Sequence, residues 1–231
     1  MRKICFIIIV LVHCSAETQT LDPEAIVNVR IEGDENTIFE AFILSKVKTI
    51  TTSSGGTHRC DGTNNNASAI PVPTMTSSLD IAVSQEGFTW DGTYSTLYDD
   101  YTIVRIGNTS RTSSKFWSTL VDYEFTQVGG CQQKVKHGQH LLFAFDGFNK
   151  AHFLKLETLN SIVQIGDSLT VLVTDGRTGE PIHSATVGGM LTNATGHAQV
   201  TFKNLGAQRL KAERSDSIRS NTLVIMVTAR K

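Results

Sequence analysis

The chain has 231 residues, 40% of them hydrophobic and 19% charged, with a net charge of −1, enough for one large domain or two small ones. That balance excludes a disordered, collagen-like or coiled-coil chain, and it gives no general electrostatic case for nucleic acid as a partner. The charge is uneven: 17 acidic residues stand against 11 basic ones from Glu17 to Ile162, and 5 against 8 from Val163 to Lys231. Such asymmetry fits two units with different surfaces.

Arg2 and Lys3 precede an apolar run from Ile4 to Val12, and Ser15 and Ala16 are small residues ahead of Glu17. This pattern predicts a signal peptide over residues 1–16, and the run is too short to cross a bilayer as a helix. No later apolar run is long enough either, so the expected product has no membrane span and works outside the cell, secreted. Removal of the leader takes away Cys5 and Cys14 and leaves Cys60 and Cys131. Two cysteines in an oxidising compartment allow one disulfide, and their spacing is not the CxxC of a zinc site.

Val27 to Glu32 alternates apolar and polar residues as a half-buried strand does, and Gly33 to Asn36 reads as a turn. Thr37 to Thr51 reads as one or two β segments, and Thr52 to Pro73 as a polar loop holding Cys60 and Asn64. A short helix is predicted with Thr76 as its cap, Leu79, Ala82 and Val83 on one face, and Gly87 as its end. Strands follow around Tyr101–Ile106, Phe116–Phe125 and Leu141–Phe145. Asp-Gly pairs at Asp61, Asp91, Asp146 and Asp175 read as tight turns rather than calcium loops, which need more carboxylates.

From Ser161 onward short alternating segments recur at Leu169–Val173, Ala198–Phe202 and Leu223–Val227, with turn signals at Asp175-Gly, Gly188-Gly and Thr195-Gly. The predicted fold is mainly β: a disulfide-linked, β-rich α+β domain with one short helix (residues 17–157), then a small antiparallel β-sandwich (residues 158–231).

Several phrases in the first segment resemble one family. They are Gly55-Gly-Thr-His-Arg-Cys-Asp-Gly-Thr-Asn, Gly87-Phe-Thr-Trp-Asp-Gly, Asp99-Asp-Tyr-Thr-Ile-Val-Arg-Ile-Gly, Phe116-Trp, Gly129-Gly-Cys-Gln and Phe143-Ala-Phe-Asp. Over residues 27–157 the chain is similar to the transcobalamin C-terminal-like domain in the form found in secreted fungal proteins. The second segment, through Thr178-Gly-Glu-Pro-Ile-His-Ser-Ala-Thr-Val-Gly-Gly, resembles immunoglobulin-like or carboxypeptidase-regulatory-like modules. In transcobalamin the related domain covers one face of a corrinoid and a helical domain covers the other. No helical domain stands here, so corrinoid is not an expected ligand and no cofactor is expected.

Sequons at Asn66, Asn108 and Asn193 lie in turn-prone stretches and are candidate glycosylation sites. Trp90, Tyr94 and Tyr98 form part of the densest aromatic stretch and are the candidate ligand surface. His137 and His140 read as parts of a surface turn, His58 as a neighbour of a disulfide rather than of a nucleophile, and no catalytic or metal motif is present. The carboxylates Asp99, Asp100, Asp122 and Glu124 leave a hydrolase as one alternative. The basic stretch from Arg209 to Arg219 reads as a solvated strand face, able also to meet the acidic first unit. The expected function is a non-catalytic interaction protein with an extracellular protein or glycan as partner. A small-molecule carrier, of a corrinoid or a glycan, is the other alternative.

Overall fold

The computed structural model describes residues 24–230; the expected leader lies outside them. Among the described residues the chain is mainly β with a single α-helix. Its first half holds β1 (Glu24–Glu32), β2 (Thr37–Lys46), β3 (Lys48–Thr52), β4 (Gly56–Cys60), α1 (Met75–Glu86), β5 (Trp90–Ser95), β6 (Asp100–Ile106), β7 (Thr109–Ser110), β8 (Trp117–Val121), β9 (Glu124–Phe125) and β10 (His140–Phe145). Then come β11 (His152–Glu157), β12 (Ile162–Gln164), β13 (Ser168–Asp175), β14 (Thr186–Val187), β15 (Met190–Leu191) and β16 (His197–Thr201). The chain closes with β17 (Gly206–Leu210), β18 (Ala212–Glu213), β19 (Ser217–Ile218) and β20 (Leu223–Thr228).

A five-stranded sheet in the order β2-β1-β10-β8-β9 organises the first half, with β1 and β10 parallel and the other pairs antiparallel. Strand alternation divides its residues between two faces. Val27, Val29 and Ile31 join Leu141, Phe143 and Phe145 on one face, in a core shared with Leu79, Ala82 and Val83 of α1. Leu120, Leu142 and Ala144 point the other way and pack on Phe153 and Ile218 of the second half. The apolar run Leu141–Phe145 is thus buried on both faces, which explains why it does not alternate.

Two local features differ from the sequence expectation. The helix is capped by Thr74, two residues before Thr76: Ser77 N–H donates to Thr74 Oγ1 at 3.1 Å, and Thr74 N–H to Ser77 Oγ at 2.8 Å. Gly87 ends the helix in the left-handed region, as expected. The stretch read as one polar loop contains β4, hairpin partner of β3, pinned by the Tyr101 hydroxyl donating to Ile50 O and Gly56 O. At the end of that hairpin Cys60 is bonded to Cys131 across 71 residues.

In the second half the sheets run β16-β13-β11-β19, β12-β20-β17 and β15-β14-β18 around a core of Leu154, Val171, Val187, Val200 and Ile225. Strand β11, which falls before residue 158, hydrogen-bonds β13 and β19 of this half.

Two residues of the basic stretch near the C-terminus, Lys211 and Arg219, turn toward the first half, whereas Arg209 is exposed and Arg214 pairs with Asp216. Glu32, with no solvent exposure, accepts from Lys211 Nζ at 2.6 Å and Arg219 Nε at 2.9 Å, and from the Thr37 hydroxyl. Glu40 pairs with Lys211 at 3.1 Å and accepts from the Thr222 N–H and hydroxyl. Burial alone would raise the Glu40 pKa; the Lys211 charge and the Thr222 hydrogen bonds outweigh it and hold the carboxyl below its usual value.

Candidate functional site

The three aromatics singled out in the sequence come from one hairpin, β5–β6, and the turn at its end, but they meet different surroundings. Trp90 is buried: its ring meets Tyr101 edge-on at 5.8 Å and its indole N–H donates to Asp80 at 2.9 Å. The sequence placed it beside an Asp-Gly turn, whereas Asp91-Gly92 is a bulge inside β5, so Trp90 keeps its inward strand position. Tyr94 is half-buried, stacked on His58 with centroids 3.5 Å apart, and its hydroxyl donates to Asp99. Burial, with that hydrogen bond, raises the Tyr94 pKa far above the usual phenol value. Only Tyr98 is exposed, at 66%, next to Leu97 at 79%.

The tip carrying Leu97 and Tyr98 is fastened from several sides. Gln132 Nε2 donates to Tyr98 O at 2.6 Å, and Asn64 Nδ2 to Asp99 O at 2.8 Å. Burial opposes ionisation of Asp99, but hydrogen bonds from Tyr94 and the Asn65 N–H, with Arg59 nearby, hold its pKa down. Its neighbour Asp100 is buried, and burial pushes its pKa up to about 6 even though the Cys131 and Tyr101 N–H groups donate to it. The two adjacent carboxylates therefore fasten the disulfide region and the hairpin tip.

A second surface escaped the sequence reading. The second half covers the outer face of the central sheet only in part, leaving Ile26, Phe42 and Leu44 exposed. Ile26 pairs with Leu44 and Asn28 with Phe42 across β1 and β2, so these residues form one cross-strand patch. Phe42 is 65% exposed and lies at the edge of a cleft of about 640 Å³, whose lining includes Asn28, Tyr123, His140, Lys155 and Asn221. The alternation of β2 assigns Phe42 to the outward face, but only the docking of a distant segment decides how much of that face remains uncovered.

The wall of the cleft is set by the Asp122-Tyr123 turn between β8 and β9, in which both residues have positive φ, 50° and 68°. A side chain as large as Tyr123 rarely adopts this conformation. Here its ring is held between the Arg30 guanidinium, 5.6 Å from the ring centre, and the backbone of Gly176. A Cβ on Gly176 would stand 2.2 Å from that ring, so the Asp175-Gly pair serves close packing between the two halves as well as a turn.

His152 Nδ1 lies 2.7 Å from Asp175 Oδ2, and Ser217 is paired opposite His152 on β19. The Ser217 hydroxyl, however, donates to Asp216 at 2.8 Å, and Asp216 is held by two Arg214 hydrogen bonds that push its pKa well below the usual carboxylate range. The group thus fastens β11 to β19, with the serine hydroxyl turned to the Arg214-paired Asp216 and not to His152. His140 begins β10 and His137 lies in the turn before it. Among the described residues no cluster of three or more His, Cys, Asp or Glu side chains could hold a metal, and no helix is long and apolar enough to cross a membrane.

The three sequon asparagines are exposed. Asn66 ends a short 3₁₀ turn, Asn108 sits at the tip between β6 and β7, and the Asn193 carboxamide oxygen accepts from the Thr195 N–H and hydroxyl and from the His197 N–H. No protein-family model matches the chain, and no curated protein matches it.

Proposed function

We propose that this chain is an exported, non-catalytic binding protein that meets its partner, an extracellular protein or glycan, through the uncovered outer face of the central sheet. The observation that carries the reading is Phe42, 65% exposed beside Ile26 and Leu44 and opening onto the cleft. Contiguous apolar side chains on a rigid sheet cost solvation free energy when left in water, and such patches mark contact surfaces. The patch lies on strands locked by the Glu32 and Glu40 ion pairs, so little conformational entropy is lost on binding.

Export is supported by the leader-like first sixteen residues and by the Cys60–Cys131 bond, which persists in oxidising compartments. Exposure of Asn66, Asn108 and Asn193 leaves room for glycans on an exported chain. A second reading, a carrier of a small saccharide, is favoured by the same cleft, whose volume falls in the range of small-molecule sites.

The test is secreted expression followed by titration of the purified protein against immobilised glycans and extracellular protein ectodomains. Phe42→Ser and Leu44→Ser are expected to weaken a saturable interaction at least tenfold without moving the thermal midpoint, while Tyr98→Ala leaves it intact. Full-strength binding by Phe42→Ser overturns the assignment to this face. Retention of the chain inside the producing cell overturns export.

A further inference from the structure

Arg30 lies on β1, on the sheet face that the second half covers, and is 5% exposed. Its Nη1 is buried without a hydrogen-bond partner among the described residues. The nearest carboxylate belongs to Glu32, 3.7 Å from Arg30 Nε, and is already shared by Lys211, Arg219 and Thr37. Glu40, the other carboxylate of the cluster, is taken by Lys211 and Thr222. Three cations, Arg30, Lys211 and Arg219, therefore face two carboxylates. The Tyr123 ring offers Arg30 a π face but no acceptor for Nη1.

Beside Arg30 is a cavity of about 20 Å³ whose lining includes Asn28, Tyr123, His140 and Leu142 from the first half and Asn221 from the second. Room for a single water needs roughly 10–15 Å³, so one species of that size fits and a phosphate or sulfate does not. A buried cation lacking a full partner is strongly disfavoured, and a charge-assisted hydrogen bond to an anion relieves it. We propose that this cavity binds one monatomic anion of chloride size, which accepts from Arg30 Nη1, neutralises the excess positive charge and joins the two halves. Because Asn221 shares the lining, the anion binds the docked arrangement in preference to a separated one. Chloride then stabilises that arrangement by mass action.

Crystals of the full mature chain grown in sodium bromide test the site directly. An anomalous bromide peak within hydrogen-bonding distance of Arg30 Nη1 is the expected result. In solution, the thermal midpoint is expected to rise with sodium chloride but not with sodium gluconate at equal ionic strength, and Arg30→Met removes the difference. A light, water-like peak without anomalous signal overturns the proposal, as does direct bonding of Nη1 to the protein. Equal midpoints in chloride and gluconate for the unaltered chain also overturn it, so the test does not depend on the variant folding.

Discussion

Replacing Glu32 with Gln isolates the charge that joins the two halves. Glutamine keeps the shape and one acceptor oxygen but leaves Lys211 and Arg219, each 17% exposed at the side chain, without their shared carboxylate. Breaking a buried ion pair costs about 3–5 kcal/mol because the remaining charge stays desolvated. Lys211 retains Glu40 at 3.1 Å and Arg219 retains Gly33 O at 2.6 Å, which places the loss near the lower end, about 3 kcal/mol. For a chain of this size that corresponds to a fall in thermal midpoint of about 6–12 °C. Calorimetry in sodium gluconate is the assay, so that no small halide compensates the excess charge. Adding Arg219→Met removes the cation that E32Q leaves without a carboxylate and is expected to recover part of the loss. An E32Q variant within 1 kcal/mol of the parent would refute the view that this cluster fixes the docking of the halves.

Other perturbations test separate parts of the structure. Loss of the Cys60–Cys131 bond frees a loop spanning 71 residues, so C60A/C131A is expected to lower unfolding free energy by about 4 kcal/mol in denaturant titration. Gly176→Ala drives a methyl into the Tyr123 ring and is expected to cost about 2 kcal/mol or more; chemical denaturation of the variant checks it. Burial holds the Asp100 pKa at about 6, above the ordinary aspartate value of 3.8. Between those values the folded chain keeps a proton that the unfolded chain has released, so this contribution to stability falls as pH rises from 4 to 6. The upper bound is about 3 kcal/mol, and Asp100→Asn is expected to flatten that part of the stability profile.

The β character, the disulfide and the helix with its Gly87 terminus were legible in the sequence because alternation, cysteine count and a glycine stop are local signals. Other features depended on context. Thr74 and Thr76 are equally good caps by type, and the reciprocal bond from Ser77 selects Thr74. The segment Gly56–Cys60 looks like loop because Thr57, His58 and Arg59 are polar, yet pairing with β3 makes it a strand. Asp91-Gly92 resembles a turn, and the bulge it forms instead decides that Trp90 is interior. The charge asymmetry between the halves was visible, but which cations meet which carboxylates depends on residues nearly 190 positions apart. For the same reason Phe42 could not be singled out: its exposure depends on where strands that follow it by more than a hundred residues stop covering the sheet.

The two-sided burial of β10 also sets how the halves depend on one another. Leu142 and Ala144, with Leu120 from β8, form a row that needs Phe153 and Ile218 as its cover. Without the second half that row, Arg30 and Glu32 would all face water, and the face now limited to Ile26, Phe42 and Leu44 would extend across the sheet. An open apolar face of that width favours association over a soluble monomer. The second half therefore narrows an open apolar sheet face to a bounded patch, and the ion pairs at Glu32 and Glu40 hold that cover in place. Under the proposed binding role, specificity would depend on the cover as much as on the residues left exposed. Substitutions at the docking interface, far from Phe42, should accordingly change what the patch binds.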